Sequence, residues 1–128
     1  MRSVGPALAL LALTSCTEVG GTWVGACEFG DARYGYTSAV EIDIADGTGS
    51  VVQGKLKLDM FDGRSFEGNI TGLKSDTYIE LEAPIRQEEG QYEILFTGNI
   101  EENVIEGECR IRIPGGAGAL VGELQLER

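Results

Sequence analysis

Apolar and polar residues alternate through most of the chain beyond residue 21, and no segment there keeps its apolar residues at helical spacing. Residues 40–44, 78–82 and 109–113 show the alternation clearly. Short segments rich in Gly, Asp and Asn separate these stretches and are typical of turns. The pattern predicts eight strands, near residues 22–29, 36–45, 50–60, 64–73, 77–83, 91–100, 103–113 and 118–127. Because the connections are short, we expect consecutive strands to pair antiparallel.

A finer repeat of the form apolar–any–Gly–any–apolar recurs six times within this alternation. Its glycines are Gly25, Gly54, Gly68, Gly98, Gly107 and Gly122. Each glycine lies on the same strand face as the two apolar residues that flank it. Glycine within a strand marks a tight bend or a close approach of backbones, and a repeated set on one face favours a sheet that curves until it closes. The sequence therefore predicts an all-β protein, an eight-stranded antiparallel up-and-down small β-barrel, with a two-layer sandwich as the alternative.

The opposite face of the predicted strands carries charged residues, among them Glu41, Lys57, Glu80 and Arg110. A barrel that spans a membrane has the reverse arrangement, with apolar side chains outside and polar ones within. We therefore expect this barrel to have a water-facing exterior around an apolar interior.

The N-terminal segment has the features of an export signal. One arginine precedes the apolar run of residues 7–13, which is shorter than the roughly 20 residues of a membrane-spanning helix. The following residues, Leu13-Thr14-Ser15-Cys16, resemble the lipobox of bacterial lipoproteins. In that family the cysteine sulfur takes a diacylglycerol, the chain is cut just before the cysteine, and the new amine is acylated. The alternative is a non-lipidated export signal followed by a chance cysteine.

This resemblance implies a signal peptide over residues 1–15, a lipidated tether over residues 16–21 and a barrel domain over residues 22–128. In Gram-negative members of the family an Asp after the lipidated cysteine retains the protein at the inner membrane. Thr17 stands there in this chain, which implies an outer-membrane protein on the periplasmic or surface face. An acidic body repels anionic lipid headgroups, so we expect the anchor alone to hold the barrel at the membrane.

A second resemblance lies at the start of the first predicted strand. Gly21-Thr22-Trp23 is similar to the Gly-x-Trp signature of lipocalins and the wider calycin group of small β-barrels. In that group the tryptophan closes one end of the barrel and packs against an Arg or Lys from the last strand. Arg128 has the matching position here, so the resemblance implies barrel closure by Trp23 and Arg128.

Two cysteines remain beyond the predicted lipidation site. Cys27 and Cys109 both face the predicted interior, and the extracytoplasmic space is oxidising. We expect a disulfide between them, with two buried thiols as the alternative. In an eight-stranded meander the last strand lies between the strands that carry these residues, whereas bridged Cα atoms must lie within roughly 7 Å. Either the barrel is flattened or one of the two assignments fails.

Composition narrows the possible chemistry. The chain has 128 residues, no histidine and a formal net charge of −11. The acidic excess argues against a nucleic-acid partner, and the lack of histidine excludes Ser–His, Cys–His and His-ligated metal sites. The Asp-Gly pairs at residues 46–47 and 62–63 are typical of turns, and the carboxylates on the strands are expected to face solvent. We therefore expect no enzymatic activity, no metal and no cofactor.

Two functions remain after these exclusions. The first is an interaction or structural module that presents an acidic wall, or the loops at residues 30–36 and 84–87, to another envelope protein. The second is binding of a small hydrophobic ligand in the barrel interior. The residues predicted to line such an interior are Trp23, Phe66, Phe96, Ile105 and Leu120. The two functions differ in whether these side chains fill the barrel or leave a cavity.

Overall fold

The computed structural model describes residues 18–30, 36–45, 49–116 and 118–128. Its strands are β1 (Gly21–Phe29), β2 (Tyr36–Ile44), β3 (Val51–Asp59), β4 (Ser65–Lys74), β5 (Tyr78–Gln87), β6 (Gly90–Glu101), β7 (Val104–Arg112) and β8 (Ala119–Glu127). Each strand pairs antiparallel with the next, and β8 pairs with β1 to close the barrel. The predicted eight-stranded up-and-down barrel is confirmed, and the alternative of a sandwich is wrong.

The N-terminal predictions fall on residues that lie outside this description. The signal peptide over residues 1–15, the lipidation site Cys16 and the sorting residue Thr17 all precede residue 18. Within the described ranges, no helix is both long enough and apolar enough to cross a membrane.

The interior of the barrel is a single apolar core. Alternate residues of the strands are buried, as in β2, where Val40, Ile42 and Ile44 point inward between exposed neighbours. Ser38 is the one polar residue among the described positions that is buried, and its hydroxyl accepts a hydrogen bond of 3.1 Å from the backbone N–H of Phe61. The predicted segregation of apolar and charged faces is therefore confirmed.

Five of the six repeat glycines lie against the backbone of an adjacent strand, whereas Gly68 faces the side chain of Ile85. A Cβ atom on Gly25 would lie 1.9 Å from the backbone oxygen of Gln125, and one on Gly107 would lie 2.0 Å from that of Thr97. Gly54, Gly98 and Gly122 likewise face the backbone of an adjacent strand. These positions exclude any side chain, which is why the sheet can crease there and close with eight short strands.

Strand β5 is longer than the sequence predicts, because it continues through Pro84 to Gln87 rather than ending at residue 83. The carbonyl of Tyr78 points towards the β4 side, where it accepts a hydrogen bond from the backbone N–H of Ser75. Pro84 lies an even number of residues further along, so its backbone nitrogen points to the same side. The pairing of β4 with β5 ends at Thr71 and Glu82, so beyond that point β5 pairs with β6 alone. The missing N–H of Pro84 therefore breaks no sheet hydrogen bond. Residues 84–87 belong to this strand, so the prediction of a loop there was wrong.

The predicted conflict between the disulfide and the strand order does not arise. Cys27 and Cys109 form a disulfide with their Cα atoms 6.2 Å apart, although β8 lies between β1 and β7. The intervening position, opposite Cys109, is Gly122. A Cβ on Gly122 would lie 2.5 Å from the backbone oxygen of Glu28, so β8 folds tightly against β1 here. This close approach of β8 to β1 lets the disulfide join β1 and β7 across β8.

Candidate functional site

The residues predicted to line a ligand cavity are packed against one another. Trp23 and Phe66 have no solvent-accessible surface, and Phe96 and Ile105 retain 1%. Leu120 is partly buried and packs against the same core. An empty cavity large enough for a ligand would leave accessible surface on the side chains around it. These side chains therefore fill the barrel in this conformation.

Trp23 and Arg128 meet at one end of the barrel, hereafter the Trp23 end. The guanidinium carbon of Arg128 lies 4.8 Å from the centroid of the indole ring. Arg128 also donates hydrogen bonds to the backbone oxygens of Glu18 and Gly20 at 3.0 and 2.9 Å. The indole N–H donates to the backbone oxygen of Val19 at 2.9 Å. The predicted neighbourhood of Trp23 and Arg128 is present, and together they hold residues 18–20 across this end.

The opposite end, hereafter the Arg64 end, has an opening in its strand pairing between β4 and β5. Arg64, just before β4, reaches across it and donates a short hydrogen bond to the hydroxyl of Tyr92 on β6. Its guanidinium carbon lies 5.6 Å from the ring centroid of Phe66 and 5.3 Å from that of Tyr92. Arg64 therefore bridges β4 and the β5–β6 hairpin where the backbones no longer pair.

A carboxylate holds the bridging arginine in place. Asp62 forms an ion pair of 2.8 Å with Arg64, and Glu89 lies 3.8 Å from the same guanidinium. The hydrogen bond from Arg64 holds the pKa of Asp62 below the ordinary carboxyl value, despite a smaller opposing effect of burial. The same hydrogen bond raises the pKa of Arg64, which stays charged.

An exposed aromatic pair lies on the rim of the Arg64 end. The rings of Phe61 and Tyr36 stack with centroids 4.8 Å apart, and Phe61 also lies 6.0 Å from Phe29. Phe61 is 39% exposed and Tyr36 49%. We call Phe61 and Tyr36 the aromatic patch. Aromatic and arginine side chains dominate the energetics of protein interfaces, so this patch beside Arg64 suits contact with a partner.

The outer wall over β7, β8 and β1 is acidic, as the sequence predicts. Glu108 stands directly opposite Glu123, and Glu123 directly opposite Glu28. An open groove of about 360 Å³ follows this wall, with Gly25 and Gly107 among its lining residues. Like charges placed opposite one another destabilise a sheet, so the fold keeps this wall acidic against a local energetic penalty. Among the described residues no three Asp, Glu or Cys side chains converge as metal ligands would.

Two features of the Arg64 end are not among the predicted site residues. The sequence contained a usable signal for Arg64. It stands two positions before Phe66, so the alternation along β4 assigns both residues to the same, inward-facing side. Phe61 lies in a turn, where periodicity carries no information. Of the predicted contact loop at residues 30–36, only Gly30 and Tyr36 lie within the described residues.

No family model and no curated protein matches this chain. A solved structure described as EF1p2_mFAP2b bound to DFHBI is similar in fold, with a TM-score of 0.64. The similarity covers 91% of this chain and 95% of the other, at 12% sequence identity. At so low an identity the likeness shows a shared small-barrel fold and nothing about shared chemistry.

Proposed function

We propose that this chain is a non-enzymatic β-barrel lipoprotein of the bacterial cell envelope that acts as an interaction or structural module. The single observation that carries the proposal is the packed interior, because a filled barrel offers a partner only its wall and its ends. The carboxylates of the strands lie on the solvent face, which supports a binding rather than a catalytic role.

The proposed anchor is Cys16, with a diacylglycerol on its sulfur and an acyl group such as palmitate on its amine, in the outer membrane. Its support is the lipobox-like sequence together with the position of residue 18, which lies at the Trp23 end. The Arg64 end, with its aromatic patch, is then the end that points away from the membrane. We propose this outward end as the contact surface for another envelope protein.

Two measurements test the proposal. Mass spectrometry of the chain purified from bacterial membranes should show the acylated form starting at residue 16, and a Cys16→Ala variant should lack it. A photo-crosslinking residue placed at Phe61 in the native envelope should give one discrete protein adduct. The matched control is Leu95, which is 37% exposed on the outer wall, close to the 39% of Phe61. Equal labelling patterns at both positions would contradict an interaction surface at the Arg64 end.

A second candidate function is binding of a small hydrophobic ligand inside the barrel. The Arg64 end favours it, because β4 and β5 do not pair there and a side-chain contact from Arg64 to Tyr92 spans the gap. A side chain can move aside to admit a ligand more readily than paired backbone can. The solved neighbour bound to DFHBI is a further reason to test it. Native mass spectrometry of the mature domain lacking Cys16 should then retain a small molecule. A clean apo mass, and no change in fluorescence of an added apolar probe, would exclude this function.

A further inference from the structure

The Trp23 end carries three exposed apolar side chains on one side of its rim. Val51 and Leu73 face each other across β3 and β4 and are each 57% exposed. Tyr78, at the start of β5, is 41% exposed. It lies diagonally across from Leu73, which pairs with Glu80 on β5, and such diagonal neighbours are within reach of an aromatic ring. We call Val51, Leu73 and Tyr78 the rim patch.

The opposite side of the same rim is acidic. Glu101 and Glu102 lie at the β6–β7 turn, and Glu18 and Glu127 lie beside the start of β1, all of them exposed. One end of the barrel thus has an apolar cluster over β3–β5, with Lys74 and Asp76 at the adjoining β4–β5 turn, and an anionic half over β6, β7, β8 and β1. A surface divided in this way has one preferred orientation against a boundary between water and lipid.

Residues 18–20 lie across this same end. Val19 is fully buried and accepts the hydrogen bond of the Trp23 indole, so the polypeptide is fixed to the barrel at that residue. Cys16 stands three positions before Val19, and a fully extended segment of three Cα–Cα steps spans at most about 11 Å. An acyl group on Cys16 would therefore hold the rim of the Trp23 end close to the bilayer surface.

We propose that the rim patch rests on the bilayer that carries the lipid anchor and tilts the barrel so that the β3–β5 side of this rim, rather than the charged wall of those strands, faces the lipid. The inference rests on the proposed lipidation of Cys16. It departs from the sequence expectation, in which the anchor alone holds the barrel at the membrane. The anionic half of the rim turns towards water, and the aromatic patch at the Arg64 end is presented at a fixed inclination rather than on a freely rotating tether.

Spin labels on the full, lipidated chain test the tilt. A label at Ser75→Cys lies on the apolar side of the rim, and a label at Glu102→Cys lies on the acidic side; both positions are exposed. In phosphatidylcholine vesicles, the label at residue 75 should gain collisions with oxygen and lose collisions with a water-soluble nickel chelate. The label at residue 102 should stay as accessible to the chelate as it is in the non-acylated Cys16→Ala chain.

Substitution of the patch supplies the decisive comparison. The triple variant Val51→Ser, Leu73→Ser, Tyr78→Ser should return the label at residue 75 to the aqueous values, while Leu95→Ser with Val121→Ser should leave it in lipid. Leu95 and Val121 are 37% and 46% exposed, so this control removes exposed apolar surface from another part of the outer wall. Thermal unfolding of each variant by circular dichroism confirms that the barrel is intact.

Three results would overturn the inference while leaving the lipoprotein proposal in place. They are equal accessibility of the two labels, protection at residue 75 that survives the triple variant, and protection that disappears on dilution with unlabelled protein, which would identify a second copy as the occupant. A purified chain without the mass of the acyl groups would instead overturn the lipoprotein proposal, and the inference with it.

Discussion

Replacement of Gly25 by alanine is the sharpest test of why this barrel closes. The added Cβ would lie 1.9 Å from the backbone oxygen of Gln125 and 2.9 Å from the Cα of Leu126. Carbon and carbonyl oxygen normally approach no closer than about 3.3 Å, so β8 must move away from β1 by well over 1 Å. Both obstructing atoms belong to the backbone, and no rotation of a side chain relieves the overlap.

The expected loss can be worked from that displacement. Overpacking of a tightly packed site costs about 1–3 kcal/mol, and each strand hydrogen bond lost adds about 0.5–1.5 kcal/mol. We therefore expect Gly25→Ala to lower the free energy of unfolding by about 3 kcal/mol or more, a large share of the roughly 5–15 kcal/mol that holds a domain together. Urea denaturation of the mature soluble chain measures this change. The midpoint should fall, while the slope of the unfolding free energy against urea concentration should stay the same.

Two other glycines supply graded controls. Nothing lies within 4 Å of a Cβ at Gly49, so Gly49→Ala should range from neutral to a gain of about 1 kcal/mol. A Cβ at Gly68 would meet only the side chain of Ile85, whose Cδ1 atom would lie 2.5 Å away, and that flexible tip can move. Gly68→Ala should cost about 1 kcal/mol, and Ile85→Val in the same chain should recover part of it. Equal stability of Gly25→Ala and Gly49→Ala would refute the steric account of closure.

Three further results are expected from the contacts at the two ends and at the disulfide. Reduction of the bond between Cys27 and Cys109, which are 82 residues apart, should lower the free energy of unfolding by up to about 4.5 kcal/mol, and an unchanged urea midpoint in reductant would contradict this. Arg128→Ala should cost about 1–2 kcal/mol and alter tryptophan emission, and Arg128→Lys should cost less because lysine keeps the positive charge; equal losses in the two variants would contradict a contribution from that charge over the indole ring. Asp62 has a lowered pKa in the folded state, so its contribution to stability is present above the ordinary carboxyl pKa and is lost as the pH falls through the lowered value. Asp62→Asn should therefore be less stable at neutral pH, by no more than about 1 kcal/mol for so exposed a pair, and should lose less stability on acidification; parallel pH profiles of the two proteins would contradict the assignment.

The barrel could be predicted from the sequence because both of its determinants are local patterns. A period of two assigns each residue to a face, and a glycine between two inward apolar residues marks the place where that face must bend. Such a pattern does not show that β5 tolerates Pro84 or that its pairing with β4 ends at Glu82. Whether the missing N–H of a proline matters depends on which neighbouring strand that residue faces. That dependence is tertiary, and it produced the error in the end of β5.

The ends of the barrel were harder to predict than its wall. Trp23 and Arg128 could be paired in advance because the strand order places the two chain segments together. The bridge from Arg64 to Tyr92 joins β4 to β6 across a gap in pairing, so no register computed from neighbouring strands leads to it. The rim patch combines residues from the ends of three strands. At those ends the outward positions carry apolar rather than charged residues, and only the strand order shows that they are neighbours.

Seven of the eight strand pairings join consecutive segments, and the remaining one joins the first strand to the last. The consecutive hairpins can form by short loop closures, whereas that final seam requires the two extremities of a long chain to find each other. Cys27 lies on one side of this seam, and Cys109 lies just beyond the strand that completes it. The covalent link therefore ties together the two sides of this seam, so we expect the chain with the disulfide formed to complete its barrel faster than the reduced chain.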